Sequence, residues 1–137
     1  MVRFFKVLIA FTLLCQPAIL MASDDKVKVV LHVNDKYKIG HLGKSVKNIR
    51  AEMGIDIDIR VVINGKAVTR LLKSNKSSAK IVESVLQQNV PIGLCHNAVA
   101  NNRVNKSLLI EGLDVLETDG NVTVLNYQRQ GYFYIKM

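Results

Sequence analysis

Apolar and polar positions change period several times along the chain, and each change marks an element. KVKVVLHV (residues 26–33) is β-branched, with a continuously apolar middle, and ends in the polar NDKYK. That pattern predicts a first strand covered on both faces. IGHLGKSVKNIRAEMG then sets Ile39, Leu42, Val46, Ile49 and Met53 at helical spacing, with Gly54 as a stop. DIDIRVVING alternates, runs apolar from Val61 and ends at the turn Asn64-Gly65, a second strand. A short helix over 67–72 and the polar loop KSNKSS follow, and Ser77 or Ser78 is placed to cap a third helix carrying Ile81, Val82, Val85 and Leu86.

VPIGL is a short buried strand entered through Pro91, with Cys95 at its carboxyl end and HNAVANNRV leaving as a helical turn. A fourth short strand is expected around 113–116. VTVLNYQRQ carries two signals: Val122, Thr123 and Val124 favour strand, whereas its place after a strand favours helix. GYFYIK closes the chain as a strand with Phe133 and Ile135 on one face, Tyr132 and Tyr134 on the other.

Strands alternating with helices predict an α/β fold of right-handed crossovers, a mainly parallel five-stranded sheet between helical layers. Ligands of such open sheets bind outside the carboxyl ends of strands, near the point where the winding reverses. Cys95 occupies such an end. If the third strand lies beside the first, Asn34 and Asp35 rim the same crevice. Asn64 and Gly65 can offer backbone N–H groups to an anion there, and equally form a simple turn.

The first residues set the compartment. Arg3 and Lys6 precede the uncharged run VLIAFTLLCQPAIL, and LMAS supplies small residues for cleavage. This is the pattern of a secretory signal over 1–22 or 1–23, with a single domain over 23–137 and a periplasmic destination. The apolar run is short for a bilayer span and Pro17 breaks its helix; a retained anchor is the alternative. Cys15 leaves with the leader.

Removing Arg3 and Lys6 from 19 basic residues leaves 17 against 11 acidic, a net +6. The excess favours anionic partners. Its lysines are scattered with few interleaved aromatics, which argues against nucleic acid. No zinc-ligand spacing, carboxylate pair, Ser/His/Asp trio or phosphate loop appears, so no metal and no cofactor is expected.

One thiol cannot make an internal bridge, so apolar burial has to hold the fold. Cys95 is then inert, paired to another chain, or reactive. A reactive sulfur must be a thiolate. A following helix start favours one, and His96 is a candidate proton acceptor if the chain turns there. His32, within an apolar strand, reads as a core histidine.

VVLHVND, RVVINGKAVTRLL, NVPIGLCHNAV and the ending QRQGYFYIK, in this order with the polar loop, resemble the DsrE/DsrF-like family, particularly its small secreted members. The resemblance spans the whole mature chain. It implies a three-layer α/β sandwich with flavodoxin-like, DsrE-type topology, and homo-oligomers, often trimers or hexamers. It also implies a sulfur relay exchanging sulfur with donor and acceptor proteins, in which Cys95 carries sulfur as a persulfide and Asn97 is the motif asparagine. His96 stands where secreted members often have glycine.

Overall fold

The computed structural model describes residues 26–137; the proposed leader lies outside them. Five strands form one parallel sheet: β1 (Lys28–Val33), β2 (Asp58–Ile63), β3 (Ile92–Leu94), β4 (Asp114–Val115) and β5 (Phe133–Lys136). The spatial order is β4-β3-β2-β1-β5. Four α-helices connect them: α1 (Ile39–Met53), α2 (Lys76–Leu86), α3 (His96–Asn101) and α4 (Gly120–Arg129), with 3-10 turns at Gly65–Arg70 and Lys106–Leu108.

The sheet's two faces are covered unequally, and strand parity explains how. Val29, Leu31 and Val33 of β1 point to one side with Ile59, Val61 and Ile63 of β2. There they meet Ile39, Leu42 and Val46 of α1 and Val82 and Val85 of α2 in the main core. Each such side chain contributes about 1.5–3 kcal/mol when fully buried, and the single cysteine among the described residues, Cys95, is free. Val30 and Val62 point to the other side, where α4 supplies Val124 and Tyr127, joined by Tyr132 and Leu116. Four steps along the sheet explain this split. Three right-handed crossovers run from β1 to β4 in one direction; the last, through α4, returns across the opposite face to reach the far side of β1.

VTVLNYQRQ is therefore helical: a parallel crossover has to cover the sheet, and tertiary position overrides the strand preference of Val122–Val124. Asp119 caps this helix, its Oδ1 accepting the Asn121 N–H at 2.8 Å, and Gly131 follows its end with φ +88°. At α2 the cap is Asn75, not Ser77 or Ser78. Its Oδ1 accepts the Ser78 N–H and the Ser77 hydroxyl.

The order of strands corrects one expectation. β3 lies beside β2 and β4, and β2 separates it from β1. The winding reverses at β1, so Cys95 ends a strand two places from the reversal. None of the described helices is long and apolar enough to cross a membrane.

Candidate functional site

β3 ends where its backbone turns. The Cys95 N–H donates to Ile63 O at 2.9 Å, prolonging the ladder to β2, and the chain then enters α3 with Cys95 as its N-cap residue. The thiol makes no capping bond to α3. It points instead toward the start of α4 and donates to Asp119 Oδ2 at 3.5 Å. The same oxygen accepts a hydrogen bond from Asn97 Nδ2 at 3.1 Å.

A second row of contacts fixes this group. Asn64 Oδ1 accepts the Gly65 N–H at 2.7 Å, while Asn64 Nδ2 donates to Asn121 Oδ1 at 3.3 Å. The ends of β2 and β3 and the start of α4 are thereby tied together. Gly120 makes the close approach possible: a Cβ there would lie 2.8 Å from Cys95 Cβ and 3.3 Å from Asn64 Nδ2. Gly65 has φ +56°, and a Cβ on it would press on Asn34 O at 3.2 Å.

Electrostatics follow from the hydrogen bonds. The Asp119 carboxyl is held below its ordinary range, first by the Asn97 amide and then by the backbone N–H of Asn121. Asp119 is thus an anion at neutral pH, and the thiol faces it. Cys95 itself is 0 % exposed. Asp119 and Asn97 form the polar rim between its sulfur and solvent.

Of the residues singled out in the sequence, Cys95, Asn97, Asn64 and Gly65 come together here. Asn34 and Asp35 do not join the thiol: they line another groove, of about 380 Å³, with Lys36, Tyr37 and Lys66. The reason is β2, which lies between their strand and β3. His96 makes no hydrogen bond to Cys95 among the described residues, and its buried Nδ1 has no partner there. The thiol's hydrogen-bond acceptor is Asp119, 24 residues on. Neither Asp119 nor Gly120 was singled out in the sequence. The signal was Asp-Gly-Asn ahead of a periodic segment, a helix-start pattern masked by the β-branched run after it.

No family model and no curated protein sequence matches this chain. Solved structures do. MTH1491 from Methanobacterium thermoautotrophicum, described as a protein of unknown function, superposes with a TM-score of 0.73 at 24% identity, covering 82% of this chain and 100% of that one. The ychN protein from E. coli gives 0.65 at 20% identity, over 81% and 99% of the two chains. At these identities the likeness establishes a shared α/β fold.

Proposed function

We propose that the chain is a DsrE-like sulfur carrier, exported to the periplasm and assembled as a homo-oligomer, with Cys95 holding sulfur as a persulfide. The observation that carries this reading is the thiol at the carboxyl end of β3, hydrogen-bonded to a carboxylate that Asn97 and the start of α4 hold in place. A cysteine that only filled space would need no such polar partners.

The chemistry is an exchange on sulfur. The Cys95 thiolate attacks the outer sulfur of a donor persulfide; an Sγ–S bond forms and the donor's S–S bond breaks. The donor leaves as a thiolate and takes up the proton that Cys95 gave up, so the step involves no net oxidation. Asp119 orients the thiol and accepts its hydrogen bond; because its carboxyl is a weak base, the proton passes on to the departing sulfur. Delivery to an acceptor thiolate is the same step reversed. Full burial of the sulfur means that the Asp119–Asn97 rim opens for each transfer.

Intact mass after incubation with a low-molecular-weight persulfide tests this. The wild-type protein gains one sulfur that reductant removes, and Cys95→Ser gains none. Asp119→Asn loads about tenfold more slowly, the usual loss for one hydrogen bond to a charged group. Full loading of Cys95→Ser would sink the proposal. The 0 % exposure of Cys95 favours a second reading, an inert core thiol in a binding or structural module. A thiol that alkylates only after unfolding would decide for that one.

A further inference from the structure

The thiol site has no room for a second sulfur. Cys95 is wholly buried, and its one side-chain hydrogen bond among the described residues runs to Asp119 Oδ2 at 3.5 Å. Gly120 packs so close that an added Cβ would lie 2.8 Å from Cys95 Cβ. On its other side the cysteine belongs to the main apolar core. Interiors of this kind keep few voids larger than a water molecule. A sulfur bonded to Sγ at about 2.05 Å, along the existing hydrogen bond, would stand well inside contact distance of Asp119 Oδ2. Turning it into the core instead would desolvate a charged group among apolar side chains.

Loading also reverses the sense of the polar contact. The thiol donates its hydrogen to the carboxylate. A persulfide ending in an ionised sulfur has none to donate, so two anions would face each other at short range and repel. Asn97 Nδ2, which now donates to Asp119 Oδ2 at 3.1 Å, is the amide that can turn to the new sulfur.

We infer that sulfur on Cys95 displaces Asp119 and releases the first turn of α4, so that the loaded and the empty chain present different surfaces to an acceptor protein. This signal rests on the sulfur-carrier reading for its cargo.

The displacement reaches α4 because Asp119 is its cap. Asp119 Oδ1 accepts the Asn121 N–H at 2.8 Å, and its carbonyl accepts the Thr123 N–H at 2.9 Å and the Thr123 hydroxyl at 3.1 Å. Moving the carboxylate away from Cys95 removes the first of these bonds and loosens the other two. The bond from Asn64 Nδ2 to Asn121 Oδ1, at 3.3 Å, then remains as the side-chain tie between this turn and the end of β2. Val122, exposed in the same turn, puts apolar surface on the part that moves.

The test follows amide hydrogen exchange by NMR in the mature protein, empty and after reaction with methyl methanethiosulfonate without denaturant. The Cys95 thiolate attacks the reagent's methylthio sulfur. An Sγ–S bond forms, the bond from that sulfur to the sulfonyl group breaks, methanesulfinate leaves and the thiol proton passes to solvent. The adduct sets a second sulfur at the persulfide position without a sulfur donor. Expected is about tenfold faster exchange at Asn121 and Thr123, the loss of a hydrogen bond to a charged group, with the amides of β1 and β2 unchanged. Protein loaded by a low-molecular-weight persulfide shows the same change. Asn121→Ala cuts the tie to Asn64 at an exposed side chain and speeds the reaction about fivefold. Unchanged exchange in the adduct, an unchanged rate in Asn121→Ala, or no reaction without denaturant would overturn the inference. A chain that forms the adduct and loosens α4, yet gains no sulfur from the persulfide, would sink the carrier reading and keep the displacement.

Discussion

His32 stands on β1 with its residue only 7 % exposed; a hydrogen bond of 3.1 Å joins its Nδ1 to the Tyr134 hydroxyl, and its buried Nε2 has no partner among the described residues. Burial first, and the Lys136 ammonium second, push its pKa below the ordinary value. The unfolded chain therefore takes up a proton near pH 6.5 that the folded chain refuses until lower pH. Between those two values the unfolded state binds more protons, so stability rises with pH and falls on acidification through that window. Denaturant unfolding between pH 5 and 8 is expected to show this fall, and His32→Gln to flatten it. An unchanged slope in the variant would place the titration elsewhere. At this scale the sequence was partly legible. Cys95 stood out because a lone thiol at a strand end is chemically distinctive. Asp119 did not, because a carboxylate becomes a thiol partner only when the fold brings the start of α4 to the end of β3, across 24 residues. His96 was a candidate only if the chain turned it toward the thiol, and among the described residues its buried Nδ1 has no hydrogen-bond partner.

Elements were more legible than contacts between them. The spacing of Ile39, Leu42 and Val46 announced α1, and the apolar strings of β1 and β2 announced doubly covered strands, because both follow from local period. What period cannot convey is order in the sheet. The expected neighbourhood of the first and third strands failed for that reason, and Asn34 and Asp35 went with it to another groove. Helix α1 also carries a tolerance that its sequence hides. Gly43 lies in its interior, facing α2, where a Cβ would meet Ile81 Cγ2 at an ordinary 3.7 Å. Glycine costs a helix interior roughly 0.5–1 kcal/mol relative to alanine. Gly43→Ala is accordingly expected to stabilise the fold by about that amount, read as a higher denaturation midpoint at constant slope. A lower midpoint would mean that the α1–α2 contact cannot accept one methyl.

For the whole molecule, the decisive feature is the uneven covering of the sheet. Among the described residues strand β5 pairs only with β1, which leaves its outer edge without a partner strand there, and all four of its residues are exposed. Phe133 is 68 % exposed and Ile135 lies on the same face, while Val122 and Leu125 of α4 are exposed beside the opposite one. An open edge flanked by large apolar side chains invites pairing with another chain, and proteins that stay monomeric blunt such edges with charge or proline. Here the strand has one charge, Lys136 at its end, and no proline. A second copy of the chain is the partner that the proposed homo-oligomer supplies, and closed cyclic assembly would bury the edge in each subunit. Sedimentation of the mature protein at micromolar concentration is expected to give a trimer or hexamer. Ile135→Lys places an ammonium in the middle of that surface and is expected to shift the population to monomer. The side chain is exposed in the single chain, so folding survives and circular dichroism is unchanged. A wild-type protein that sediments as a monomer would refute the assembly, and one whose mass ignores Ile135→Lys would move the interface away from β5.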